Sequence, residues 1–238
     1  MVKQTSHQEK QKPPTRLGSA HRLEIMRLLG VLNWQGRVLV DIGGYDGTIS
    51  DAMTGYAHRL IVDPFLPARL QGSSAKAGLV RGVGQALPIR PGSADTVLLL
   101  DVLEHVEEPQ PVLAEALRVL KAGGRCIVTV PSTHIQVFPP WLQGWVNKRW
   151  DHTIRSGYTV KELMGLITAP EIEVREVLQL GSPLFRFLYF PLSLCWRIAP
   201  GLGWKLLRVV ERSDLRRRAV GADRGYLYCE LKKEDSSS

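Results

Sequence analysis

The residues best placed to do chemistry sit in one short segment, DIGGYDGTIS, where the apolar run Arg37–Ile42 ends. Gly43, Gly44 and Gly47 remove side chains where a chain leaving a strand must turn sharply, approach a ligand and enter a helix. Asp41 stands just before the turn, where it repels a pyrophosphate and can receive an ammonium group. Asp63 lies 22 residues after Asp41, closing a second apolar run, LIVD, ahead of Pro64. An acid there can accept both hydroxyls of a ribose. A dinucleotide fingerprint fails: counted from Gly43, its third position is Tyr45 and its sixth is Thr48. A phosphate loop fails as well, because no Gly-Lys-Ser/Thr follows. The pattern describes a ligand with a ribose and a cation but no phosphate.

The elements that must position these residues alternate in type. A helical stripe from Arg16 to Trp34 precedes the strand Arg37–Ile42; a helix over Thr48–Tyr56 follows the turn, with Thr48 and Asp51 as a capping-box-like start. Leu60–Asp63, Leu79–Gly84, Asp95–Val102 and Arg125–Val130 read as further strands, with a helix over Pro111–Gly124. Thr159 and Glu162 form a second capping box, opening a helix to about Ile167. Ile172–Leu180 and Gly225–Leu231 are the last strands, joined most simply as an antiparallel hairpin. Strands alternating with helices imply an α/β fold: a Rossmann-like, open, mostly parallel seven-stranded sheet with helices on both faces and an antiparallel last strand.

Four blocks, VLVDIGGYDG, LIVDPF, GQALPIRPGSADTVLLLDVLEHVEEP and VLKAGGRCIVTVPS, together resemble the class I S-adenosylmethionine-dependent methyltransferases. The resemblance runs over roughly Arg37–Leu178, with an echo in GYLYCELKK, and is nearest to the ubiquinone/menaquinone-type small-molecule enzymes. It implies S-adenosylmethionine as cofactor. Asp41, Gly43, Gly44, Tyr45 and Gly47 would then face its methionine part, and Asp63 with Pro64 its ribose. Val83, Gly84 and Gln85 would flank the adenine, while Asp101, Val102 and His105 line the methyl-donor pocket. Two positions depart from the family pattern. Its middle turn glycine is Tyr45 here, and its adenine-contacting acid falls on Val83, which offers only backbone and an apolar wall. Removing one polar interaction of this kind costs about 1–3 kcal/mol.

Methyl transfer from a sulfonium is an in-line displacement, so positioning and desolvation supply much of the rate. A base is needed only where the acceptor must lose a proton. The D/N-P-P-Y element typical of adenine and glutamine amino-methylating enzymes is replaced by DVLE, which argues against DNA-base N-methylation. With the near-neutral body of the chain, no nucleic-acid partner is expected. WDHTIRSGYT resembles a recurring lid element of the family, and His152 within it is the candidate general base; the other lid histidine is His134. The reading preferred for His152 with Arg155 is an anchor of the lid ahead of the helix capped by Thr159, and His105 reads as a packed loop histidine. The function that follows is transfer of a methyl group to a small or lipid-linked hydrophobic acceptor, O- or C-methylation being favoured. The alternative is a non-catalytic, membrane-associating module that retains the fold. A nicotinamide-dinucleotide enzyme is a third reading, resting on Asp63 alone.

Composition bounds these readings. The chain has 238 residues, 44% of them apolar, enough for one domain with an appendage. Cys126, Cys195 and Cys229 form no C-x-x-C pair, which disfavours disulfide scaffolds and zinc ribbons; no metal site is expected. The first thirty residues have no apolar signal region, so the expected place is the cytoplasm, peripheral at a membrane. The net charge of +8 is uneven: +5 over 1–37, −2 over 38–179 and +6 over 180–220. Residues 1–15 read as a disordered arm, 16–36 as an N-terminal helix, and 37–238 as the domain, with a lid at 131–158 and an apolar, basic insertion at 182–218. In that insertion Pro183, Pro191 and Pro200 are expected to break the chain into short helices, none able to span a bilayer. Its mixture of Arg, Lys and aromatics over 182–212 suits an anionic membrane surface, each basic group adding on the order of 1 kcal/mol. It also suits a lid over the substrate pocket, its basic face merely solvated.

Overall fold

Each apolar run in the middle of the chain is a strand, and alternate residues of a strand face opposite layers. In the computed structural model, which describes Pro14 and residues 16–66, 78–133, 135–150, 154–180, 182–216 and 225–235, that alternation builds two cores on one sheet. Val97 and Leu99 enter one core with Val40, Ile42, Val112 and Leu113, whereas Leu98 and Leu100 enter the other with Leu39, Ile49 and Met53. Burial on both faces explains why these segments read as continuous apolar runs.

The strands are β1 (Gly36–Ile42), β2 (Tyr56–Val62), β3 (Gly78–Val80), β4 (Ala94–Leu100), β5 (Leu120–Pro131), β6 (Ile172–Leu180) and β7 (Tyr226–Lys233). Their order across the sheet is β3-β2-β1-β4-β5-β7-β6. The pairs from β3 to β5 are parallel, and β7 runs antiparallel to both β5 and β6. The sheet thus has the expected class, including the antiparallel closing pair. From β1 the chain winds first toward β3 and then returns to β4 on the other side. The crevice at the carboxyl ends of β1 and β4 is therefore the topological switch point where such sheets bind ligands.

The helices are α1 (Leu17–Leu28), α2 (Thr48–Ala52), α3 (Pro109–Val119), α4 (Gln143–Trp150), α5 (Val160–Gly165), α6 (Pro183–Ile198) and α7 (Pro200–Arg216). Several boundaries differ from those the sequence suggested. Thr48 does not cap α2: Gly47, at φ +69°, holds the cap position without a side-chain bond, and Asp46 accepts from the Thr48 N–H instead. The expected helix also stops at Ala52, because Tyr56 already pairs with Gly36 in the sheet. Further on, α3 ends at Val119, and Leu120–Gly124, expected as its last turn, belongs to β5.

Pro191 does not break the insertion. It lies inside the 16-residue α6, on its exposed side, where the carbonyl left without its N–H partner can meet water. Pro183 and Pro200 do open helices, at the position where a missing N–H is harmless. The capping box at Thr159 is present: Glu162 N–H donates to Thr159 Oγ1 at 3.1 Å, and Thr159 N–H donates to Glu162 Oε2 at 2.8 Å. Apart from Pro14, the expected arm lies outside the described residues; so do His134, His152, Arg217 and Arg218.

Candidate functional site

β1 delivers Asp41 into the sheet, 2% exposed, and Ser50 Oγ of α2 donates a hydrogen bond to its carboxylate. Burial pushes this carboxyl up to about 7, against the opposing pull of the Ser50 hydroxyl and the Arg22 guanidinium. The turn that follows closes tightly. Gly43 N–H donates to Val62 O at 2.8 Å, and Gly47 N–H to Gly44 O at 2.8 Å. Gly43 sits at φ +72°, and a Cβ there would lie 2.5 Å from Val102 Cγ2; one on Gly44 would lie 2.6 Å from the Asp41 carboxyl carbon. These glycines are required by space, and Gly43 by conformation too. Tyr45, where the resemblance leads one to expect glycine, adopts φ +32°.

At the end of neighbouring β2, Asp63 is buried, yet both its oxygens serve the turn. Tyr45 N–H donates to Oδ2 at 3.0 Å and Phe65 N–H to Oδ1 at 2.7 Å. Each oxygen keeps a further lone pair for an external donor. Pro64 is exposed beside it. Beyond β3, Val83 is 49% exposed and Gln85 is exposed, while Gly84 fits under Val112, 2.8 Å from where its Cβ would be.

The end of β4 brings a second acidic group. Asp101, at φ +55°, accepts from Thr129 Oγ1 at 2.7 Å and from Arg22 at 3.3 Å. Val102 packs over Gly43, and His105, about one-third exposed, lies 3.8 Å from Glu104. Glu104 is fully buried, and neither of its oxygens has a hydrogen-bond partner among the described residues. Burial, reinforced by the charge of Asp101, raises its carboxyl well above the ordinary glutamate range. Tyr158, whose hydroxyl donates to Leu103 O at 2.9 Å, ties the returning lid chain to this corner, and Arg155 stacks over its ring.

Asp41, the glycine turn and Asp63 thus lie together at the carboxyl ends of β1 and β2, with Val102 over Gly43 and Asp101 at the neighbouring end of β4. Val83, Gly84 and Gln85 follow β3, His105 lies beside Glu104, and His152 falls outside the described residues. The sequence did not single out α1. Arg16 stacks on the Tyr45 ring at 4.4 Å, Ser19 Oγ donates to Asp46 at 2.6 Å, and Arg22 also reaches Leu100 O at 3.4 Å. The one signal for this was the positive excess of residues 1–37, which carries no register. Among the described residues, no cluster of His, Cys, Asp and Glu could hold a metal ion.

Comparison with known proteins agrees with this geometry. Residues 40–128 match the family profile described as a methyltransferase domain. An uncharacterized methyltransferase of Mycobacterium sp. (strain KMS) is 34% identical over 97 residues, 40% of this chain. The match spans 38% of that protein's length. Among solved structures, phosphoethanolamine N-methyltransferase 2 of Haemonchus contortus, bound to phosphomonomethylethanolamine and S-adenosylhomocysteine, superposes with TM-score 0.60 at 15% identity. It covers 94% of this chain and 54% of that one. The (4+2)-cyclase SpnF superposes with TM-score 0.58 at 19% identity, covering 88% and 82% of the two chains. Residues 40–128 thus resemble a methyltransferase domain, and the chain spans well under half the length of the curated methyltransferases it matches. At these identities the solved structures show the fold, and a cyclase among them means that fold alone does not fix the reaction.

Proposed function

We propose that the chain is an S-adenosylmethionine-dependent methyltransferase acting on a small or lipid-linked hydrophobic acceptor, with transfer to oxygen or carbon. The observation that carries this reading is the pairing of the glycine turn with Asp63 at the switch point, with no room for a Cβ at Gly43 or Gly44. The residues fit the cofactor. Asp63 would accept the ribose hydroxyls through its remaining lone pairs, and Val83 with Gly84 would wall the adenine. Asp41 and the backbone of Gly43–Gly47 would face the methionine part, where Arg22 adds a positive charge suited to its carboxylate. When bound, the cofactor supplies an electrophilic methyl group on a sulfonium.

The protein's part is then to hold the acceptor atom in line with that methyl and to keep water out. Val102, half-buried over Gly43, would offer an apolar wall suited to a hydrophobic acceptor. For an acceptor that loses a proton, His152 stands as the proposed base. The carboxylate of Asp101 at the end of β4 would favour the cationic side of the reaction electrostatically. A second reading, a non-catalytic module with the same fold, draws on Tyr45 filling the middle of the turn under Arg16. The test is to incubate the full chain with methyl-labelled S-adenosylmethionine and a cellular lipid extract, then count label in the organic phase. Incorporation that Asp63→Ala abolishes is the expected result; label confined to the aqueous phase, with the chain folded, removes the hydrophobic acceptor.

A further inference from the structure

The lid and the insertion leave an unusual amount of apolar surface in water. On α6, Phe187, Pro191, Leu194 and Ile198 recur at helical spacing and are all exposed, Ile198 to 76%. The opposite stripe, Phe185, Leu192 and Trp196, is buried against α7 and Ala20 of α1, so the helix already has its packing partner. On α7, Leu202, Leu206 and Val209 repeat the pattern outward while Leu207 and Val210 point in. The lid continues the α6 face: the Phe138 and Phe187 rings stack at 4.9 Å, and Trp145 meets Phe190 at 6.1 Å. Between them Trp141 is 80% exposed.

The charges on this face have one sign. The chain has no Asp or Glu from Ser132 to Trp150 or throughout α6, and the two acids of α7, Glu211 and Asp214, are buried. Lys148, Arg197, Lys205 and Arg212 are exposed. On α7, Lys205 and Arg212 lie seven residues apart along one flank of the apolar stripe, and Arg197 flanks that of α6. Long cationic side chains beside an apolar stripe with aromatic rings are what a helix lying in the plane of a bilayer needs: apolar groups in the acyl boundary, cations at anionic headgroups. No helix among the described residues is long and apolar enough to cross a membrane.

We propose that the outer faces of α6 and α7, joined by lid residues Phe138, Trp141 and Trp145, form an in-plane docking surface for an anionic bilayer. Resting on the methyltransferase reading, the surface delivers a membrane-resident amphiphile to the site. Two features favour a lipid surface over a second copy of this chain. Pairing two such faces would set Lys148, Arg197, Lys205 and Arg212 against their own kind, with no exposed acid on the face to offset them. And the lid that carries the tryptophans springs from the carboxyl end of β5, where Thr129 holds Asp101, so the surface adjoins the candidate site.

The test is co-sedimentation of the full chain with vesicles of phosphatidylcholine alone and of phosphatidylcholine with phosphatidylglycerol, alongside calorimetry with S-adenosylhomocysteine. Partitioning is expected at least tenfold stronger with phosphatidylglycerol, weakened by high salt. It should fall at least tenfold in Leu194→Glu/Ile198→Glu and in Trp141→Ala/Trp145→Ala, while nucleoside binding stays unchanged. No partitioning by a folded chain that still binds S-adenosylhomocysteine overturns the membrane surface and leaves the methyltransferase reading standing. Partitioning without nucleoside binding does the reverse. Partitioning that ignores both double variants, or a dimer in solution that they dissolve, also overturns the proposal.

Discussion

The surroundings of Asp41 oppose its ionisation: burial raises its carboxyl from 3.8 to about 7. The folded protein therefore binds a proton there between about pH 4 and 7 that the unfolded chain releases. Stability is lost as pH rises through that window, by at most about 1.4 kcal/mol per pH unit from this one group. Glu104, also raised, acts in the same direction. Urea unfolding at pH 5 and pH 7.5 should show wild type weakening on the alkaline side and Asp41→Asn weakening less. A cofactor ammonium placed at Asp41 needs the ionised carboxylate, so binding of S-adenosylhomocysteine near neutral pH should release a proton. Calorimetry in two buffers of different ionisation enthalpy reads that release, and identical heats in both would argue against Asp41 as the receiving group. Gly43→Ala should lower affinity for the same ligand at least tenfold, because the new methyl meets Val102 at 2.5 Å on a left-handed backbone. These residues were legible in the sequence because a glycine turn and the acid after the next strand are local signals. The burial of Glu104 was not, since it depends on β4, Tyr158 and the lid arriving together.

Among the elements, the same contrast between local and distant partners decides what could be read. The box that opens α5 is made by residues three apart, Thr159 and Glu162, and appears as expected. Thr159→Ala should cost about 1 kcal/mol in thermal or urea unfolding, with nucleoside affinity unchanged. The placement of α1 is made by residues far apart. On one side Arg16, Ser19 and Arg22 reach Tyr45, Asp46 and Asp101; on the other His21 Nδ1 lies 2.7 Å from Glu211 of α7 and its ring stacks on Phe185 of α6 at 4.0 Å. No periodicity in residues 16–34 encodes those partners. Pro191 misled for a related reason: propensity opposes proline inside a helix, but packing of Phe185, Leu192 and Trp196 against α7 outweighs the missing hydrogen bond. Arg22→Ala should weaken S-adenosylhomocysteine binding severalfold while leaving 5′-methylthioadenosine, which lacks the carboxylate, unaffected; calorimetry with the two ligands distinguishes a charge contact from general loosening of α1.

At the scale of the whole molecule, order and charge separate into two parts. A mostly parallel sheet with an antiparallel last strand was legible from the alternation of strand and helix and from the lack of a crossover helix before that strand. The order β3-β2-β1-β4-β5-β7-β6 was not, because no local pattern says which strands lie side by side. The excess of positive charge falls outside the central body, in the N-terminal segment and the α6–α7 hairpin, and the hairpin shares its apolar face with the lid. The sequence showed the composition of that face, but the contact between Phe138 and Phe187, 49 residues apart, needed the fold. The central claim is that the crevice between β1, β2 and β4 holds S-adenosylmethionine. Isothermal calorimetry with S-adenosylhomocysteine tests it most directly, using wild type and Asp63→Ala of matched folded content. One-site binding by wild type, weakened about 5- to 150-fold when the ribose contact is removed, is the predicted result. No heat at millimolar ligand with a folded wild-type chain, or equal affinity in the two proteins, would contradict it.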